Sequence, residues 1–123
     1  MSYATRHLVS LTTDGDGAAT GYTPEVTGVV RSISYVKTDF ADGVDFTITS
    51  DITLQTIWTE SNVNAAKTVC PKQATHTTVG VAALYAGGGS AVLADVVVAN
   101  ERIKIVIAAG GDTKTGAFHV VMG

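Results

Sequence analysis

The sequence predicts an all-β domain, an antiparallel β-sandwich or jelly roll of about seven to nine short strands. Three observations carry that expectation. Stretches of alternating apolar and polar residues recur at even spacing, the period of a half-buried strand. Clusters of Gly, Asp, Asn and Pro separate them. Valine and threonine abound while leucine is scarce, a bias toward strands, and no long helical pattern occurs.

Residues 3–11 read as the first strand. Thr5, His7, Val9 and Leu11 share one face and Arg6, Leu8 and Ser10 the other, and either face could be the buried one. Residues 12–19 contain two Asp-Gly steps and predict a turn. A short extended piece follows at 20–23, then a corner at 24–28 beginning with Pro24. Residues 29–37 predict a strong strand anchored by Ile33 and Tyr35, and residues 38–43 a loop.

Residues 44–50 show the clearest alternation, with Val44, Phe46 and Ile48 inward and Asp45, Thr47 and Thr49 outward. A tight turn at Asp51 leads into a strand over 52–59, and the pair predicts a hairpin. Residues 60–66 are polar and irregular. Residues 67–78 are extended, and Pro71 confines them to an edge or a crossing segment. Residues 79–86 could pass for a helical turn, and 87–90 form a flexible glycine loop. Residues 91–99 predict a strand broken or bulged near Asp95. The end of the chain, 101–123, reads as a hairpin. Its buried rows are Ile103, Ile105 and Ile107 in one arm and Phe118, Val120 and Met122 in the other, joined by a GGDTKTG surface tip.

At 123 residues the chain is one domain, 1–123, large enough for a core without disulfides or metal. Apolar residues make up 46% and charged residues 15%, against a usual charged share of about 25%. A surface this poor in charge suits a protein covered by partners, and equally one whose exterior is simply rich in Thr and Ser. The net charge is −3 and the eight basic residues are scattered, which argues against nucleic acid. No apolar run approaches the ~18 residues of a membrane span. The N-terminus shows no secretory apolar region, and the single Cys70 excludes an intrachain disulfide. Synthesis in a reducing cytoplasm is expected.

Motifs that suggest chemistry fail on their spacing. Asp14-Gly15-Asp16 opens like a calcium loop, with Glu25 at the twelfth position, but Ala18 and Ala19 stand where an oxygen ligand and a glycine belong. Gly110-Gly111-Asp112-Thr113-Lys114-Thr115 resembles a phosphate loop, but Thr113 precedes the lysine and a strand follows. His7, His76 and His119 lack ligand spacing. Cys70 and His76 as nucleophile and base have no third orienting group. Asp39, Asp42 and Asp45 read as solvated loop carboxylates, and Trp58 as a cap on the core. No catalytic, cofactor-binding or metal-binding residue is expected, and the chain is not expected to be an enzyme.

Nearly the whole chain resembles a group of small tailed-phage virion proteins. The opening YATRHLVSLTTDGDGAATGYTPEVTGVVRSISYVKTDFADGVDFTITSD carries the likeness, as do PKQATHTTVGVAALYAGGG and RIKIVIAAGGDTKTGAFHVVMG. These look like capsid cement, or head decoration, proteins. The resemblance implies a compact β-sandwich on the capsid exterior of an HK97-like head, bridging neighbouring subunits of the major capsid protein. It implies a homo-oligomer, dimer or trimer, with no cofactor, nucleic acid or membrane, made in the host cytoplasm. Tail and head-completion components include similar short β-proteins. A carbohydrate-binding sandwich, with Trp58, Tyr22, Tyr35 and Tyr85 as its platform, is the other expectation to test.

Contacts with capsid or with other copies are expected at the N-terminal arm (Ser2, Tyr3, Arg6), at the 38–43 loop (Asp39, Phe40, Asp42) and at the glycine loop (Gly88, Ser90). Lys114, in the tip near the end of the chain, joins them.

Overall fold

The computed structural model describes residues 4–123. Ten strands and no helix are present among them. In order they are β1 (Thr5–Thr12), β2 (Ala19–Tyr22), β3 (Val26–Val36), β4 (Val44–Ser50) and β5 (Thr56–Val63), then β6 (Lys67–Val69), β7 (Lys72–Ala74), β8 (Leu93–Glu101), β9 (Ile103–Ala108) and β10 (Thr115–Met122). They form two antiparallel sheets packed as a sandwich. The six-stranded sheet runs β1-β10-β3-β8-β7, with β6 also on β3, and the four-stranded sheet runs β2-β9-β4-β5.

The pairing has a simple logic. β4 and β5 form the predicted hairpin. Outside it β3 pairs with β8, β2 with β9, and β1 with β10. This is one long antiparallel ribbon, rolled so that β10 also meets β3 and β9 also meets β4. A ribbon rolled this way is a jelly roll. β6 and β7 are an addition to it, set into the crossing from β5 to β8.

The alternation reaches its purpose in the core. Val9, Leu11, Val30, Ile33, Tyr35, Phe118, Val120 and Met122 point inward from the first sheet, and Phe46, Ile48, Trp58, Ile103, Ile105 and Ile107 from the second. Each large apolar side chain buried in this way contributes about 1.5–3 kcal/mol. Aromatic rings bridge the sheets. Phe46 lies 4.6 Å from Trp58 and 5.1 Å from Phe118, edge to face, and Tyr35 lies 5.2 Å from both Phe46 and Phe118. Gly21 lets β1 and β2 close the corner between the sheets, since a Cβ there would sit 2.8 Å from Val9 Cγ1.

Several expectations are corrected. The strand count is ten, because the short β6 and β7 flank Pro71 as separate pieces. β9 and β10 do not form a hairpin. β9 belongs to the four-stranded sheet and β10 to the six-stranded one. The Ile103, Ile105 and Ile107 row therefore faces the Phe118 and Val120 row across the core rather than lying beside it. β5 starts at Thr56 and continues through Glu60–Val63, which read as irregular. Residues 79–86 hold no helix. β8 is continuous through Asp95 but changes neighbour there, pairing with β7 before it and with β3 after it.

Candidate contact surface

The expected contacts fall in separate places. Ser2 and Tyr3 lie outside the described residues. Arg6 is exposed near the start of β1, at the edge of its sheet. Asp39, Asp42 and Lys114 meet at the far end of the sandwich, where the 37–43 loop touches the turn between β9 and β10. Asp39 accepts the Thr115 backbone N–H at 2.6 Å and the Thr115 hydroxyl at 2.9 Å. The Thr115 N–H chiefly holds its carboxyl below the usual carboxylate range. Asp42 pairs with Lys37 at 2.8 Å.

Phe40 is not a surface contact. It is 1% exposed, and its ring fills the space that Gly116 leaves on β10, where a Cβ would collide with it. A loop phenylalanine among polar residues reads as a contact residue, and only the glycine opposite marks its socket.

The GGDTKTG tip is exposed but braced. Thr13 donates its N–H to the Lys114 carbonyl at 2.8 Å, and its hydroxyl accepts the Lys114 N–H at 2.8 Å. Gly110 donates to the Gly17 carbonyl and its own carbonyl accepts from Ala41. Three loops are thus tied into one rigid end. The Asp14 carboxylate is spent locally, accepting the backbone N–H groups of Ala18 and Asp16, which lower its pKa. The calcium-loop geometry is absent from this turn.

The opposite end carries a feature that sequence reading missed. Ile52 and Leu54 are 71% and 70% exposed on the β4–β5 turn. Leu54 has a φ of 60°, a strained backbone for a leucine. The buried carboxylate of Glu101 holds this turn, accepting the N–H groups of Ile52 and Thr53 and the Thr53 hydroxyl. Beside it Arg102 lies 3.9 Å over the Tyr22 ring and pairs with Asp51 at 2.7 Å.

Gly88 and Ser90 belong to the largest exposed apolar feature. The chain from Thr75 to Val92 forms an arm of two short hairpins, held by bridges between His76 and Ala82 and between Leu84 and Ala91. Thr75 donates to the Val92 carbonyl, Ala83 to Thr75, and Val92 to Ala83. No residue of the arm is fully buried. Val79 is 82% exposed, Tyr85 77% and Val81 60%. Leu84 and, at the root, Leu93 are exposed as well. No Asp, Glu, Lys or Arg occurs between Lys72 and Asp95, and those two form an ion pair at the root. The signal in the sequence was that long charge-free stretch, not any periodicity.

Other candidates are placed plainly. Cys70 and His76 are both exposed, and no pocket exists among the described residues. No cluster among the described residues could hold a metal ion. No helix is long and apolar enough to cross a membrane. Of the proposed sugar platform, Trp58 and Tyr35 lie in the core. Tyr22 and Tyr85 are exposed but lie on different parts of the fold, Tyr22 on β2 of the four-stranded sheet and Tyr85 on the arm beyond β7. The four rings make no common surface. Compared with known proteins, the chain matches no family model, no curated protein and no solved structure.

Proposed function

We propose that the chain is a structural virion protein, a capsid cement protein that binds the outside of a tailed-phage head and bridges neighbouring major capsid subunits. One observation carries the reading. The roll already has a full core, yet the chain spends a long apolar arm and an apolar turn on its surface. Monomeric proteins rarely leave contiguous apolar patches beyond a few hundred Å² uncovered. Rigid ends and an apolar arm suit a part that is clamped between larger bodies, and the resemblance along the chain supports the same role. Individual contacts can be modest, because a symmetric lattice adds them.

The test is binding to heads stripped of this protein. Purified chain co-sediments with expanded heads, saturates, and ignores unexpanded ones. Failure to co-sediment with matching expanded heads would remove the proposal.

A further inference from the structure

We infer that the arm from Thr75 to Val92 is exchanged between two copies of this chain, each arm lying on the outer face of the partner's six-stranded sheet. The inference deepens the cement reading, in which copies join one another, but it is testable without heads.

The arm is not needed to close the roll. The β3–β4 crossing between the sheets takes only residues 37–43, whereas the β5–β8 crossing spans residues 64–92. The excess is β6, β7 and the arm. The arm also diverges from its own sheet. Above Val30, the edge of β3 that β8 had occupied is taken by β6, through Ile33, Ser34 and Tyr35. β8 therefore carries its N-terminal end and β7 away from β3. Leu84 sits in the bridge with Ala91 and Tyr85 at the bend that follows, so exposed apolar side chains stand on both the body and the tip of the arm.

The chain supplies a matching surface. On the outer face of the six-stranded sheet Leu8 lies opposite His119, which lies opposite Ser34. Ser32, Val121 and Val36 complete a centre without formal charge. Leu8 is 58% exposed. Arg6, on the edge strand, lies directly opposite Val121, Arg31 is exposed next to Ser32, and the Lys72–Asp95 pair lies at the root of the arm. The arm brings no Asp, Glu, Lys or Arg to this face, and the long Arg6 side chain keeps its charge in water from the sheet edge.

Area decides the form. Covering a large aliphatic side chain removes roughly 60–120 Å² of apolar surface, and an aromatic one about 150–250 Å². Scaled by their exposures, Val79, Val81, Leu84 and Tyr85 of the arm and Leu93 at its root offer roughly 250–500 Å². A standard interface hides about 800 Å² per partner, about two thirds of it apolar in homodimers. A single arm falls short. Reciprocal exchange, in which each copy gives one arm and receives one, exceeds the requirement and gives a closed two-fold dimer.

Sedimentation equilibrium on the purified chain tests this. The expected species is a dimer of the 12.6 kDa chain. Tyr85→Asp or Val81→Asp weakens association about tenfold or more and leaves the monomer folded, since neither residue is in the core. The melting temperature falls only by the part that dimerisation adds, and so loses its dependence on concentration. Replacing residues 75–92 with a short Gly-Ser linker gives a folded monomer. In a Cys70→Ser background, mixing a Tyr85→Cys chain with a Leu8→Cys chain gives a disulfide-linked pair of unlike chains. A monomeric wild type, a dimer that survives loss of the arm, or cross-links between Tyr85→Cys chains only would each overturn the inference. Dimers that fail to bind heads would count against the cement reading alone, and monomers that bind heads against the exchange alone.

Discussion

The Glu101 carboxylate accepts the Ile52 backbone N–H at 2.9 Å, and so the end of β8 holds the turn between β4 and β5 in place. That one bond joins two segments far apart in sequence. It also sets a charge inside the fold where only backbone N–H groups and hydroxyls answer it.

The first prediction follows from that charge. The Ile52 and Thr53 N–H groups hold the Glu101 pKa below its ordinary value of 4.5. A carboxyl lowered in the folded state contributes stability that is complete above pH 4.5 and lost as pH falls through the folded value. Asp14, Asp39, Glu60 and Asp95 are lowered too and act in the same direction. Thermal melts from pH 7 downward should therefore show falling stability below about pH 4.5. Glu101→Gln should melt several degrees lower at pH 7 and lose less on acidification than the wild type.

Tyr35 is 1% exposed, and its hydroxyl is buried without a partner. Burial pushes its phenol up to about 12 from 10.0. Tyr35→Phe removes a polar atom that nothing satisfies, and should stabilise the domain by about 1 kcal/mol. Denaturant unfolding measures it. Because the raised pKa favours the neutral phenol in the fold, its contribution is complete below pH 10 and lost toward pH 12. The variant should show less alkaline loss over that window.

Gly116→Ala should cost about 1–3 kcal/mol, because the new methyl group meets the Phe40 ring. Phe40→Ala alone should cost about 3–5 kcal/mol for the lost ring. In the double variant the clash is gone, so the combined loss should be smaller than the two single losses added together. Additive losses would separate the two residues.

Ile105 is fully buried on β9, between Gly21 of β2 and Ile48 of β4. Ile105→Asp should abolish cooperative folding by burying an unpaired charge, as circular dichroism would show. Lys114→Ala should change stability by less than about 0.5 kcal/mol, since the backbone of Lys114, not its side chain, ties the loops together.

The fold class was legible because alternation records which face is buried. Val44, Phe46 and Ile48, and Ile103, Ile105 and Ile107, all point inward as their spacing requires. Alternation does not record which sheet a strand joins. The row on β9 and the row on β10 satisfy a hairpin and a sheet-to-sheet crossing equally well, and the difference lies in partners such as Phe46 for Ile107 and Tyr35 for Phe118. The start of β5 was misplaced for a related reason. Ile52 and Leu54 alternate like strand residues, but Glu101, distant in sequence, captures the backbone there. Only the tip of the arm, at Gly88 and Ser90, was legible as a contact; its apolar residues face no core, so burial imposes no period on them.

The most direct measurement is an image reconstruction of the virion that carries this protein. The cement reading predicts density for a two-sheet roll on the outside of the head shell, touching more than one major capsid subunit. Density for the roll in the tail or at the neck, or none on the particle, would contradict it.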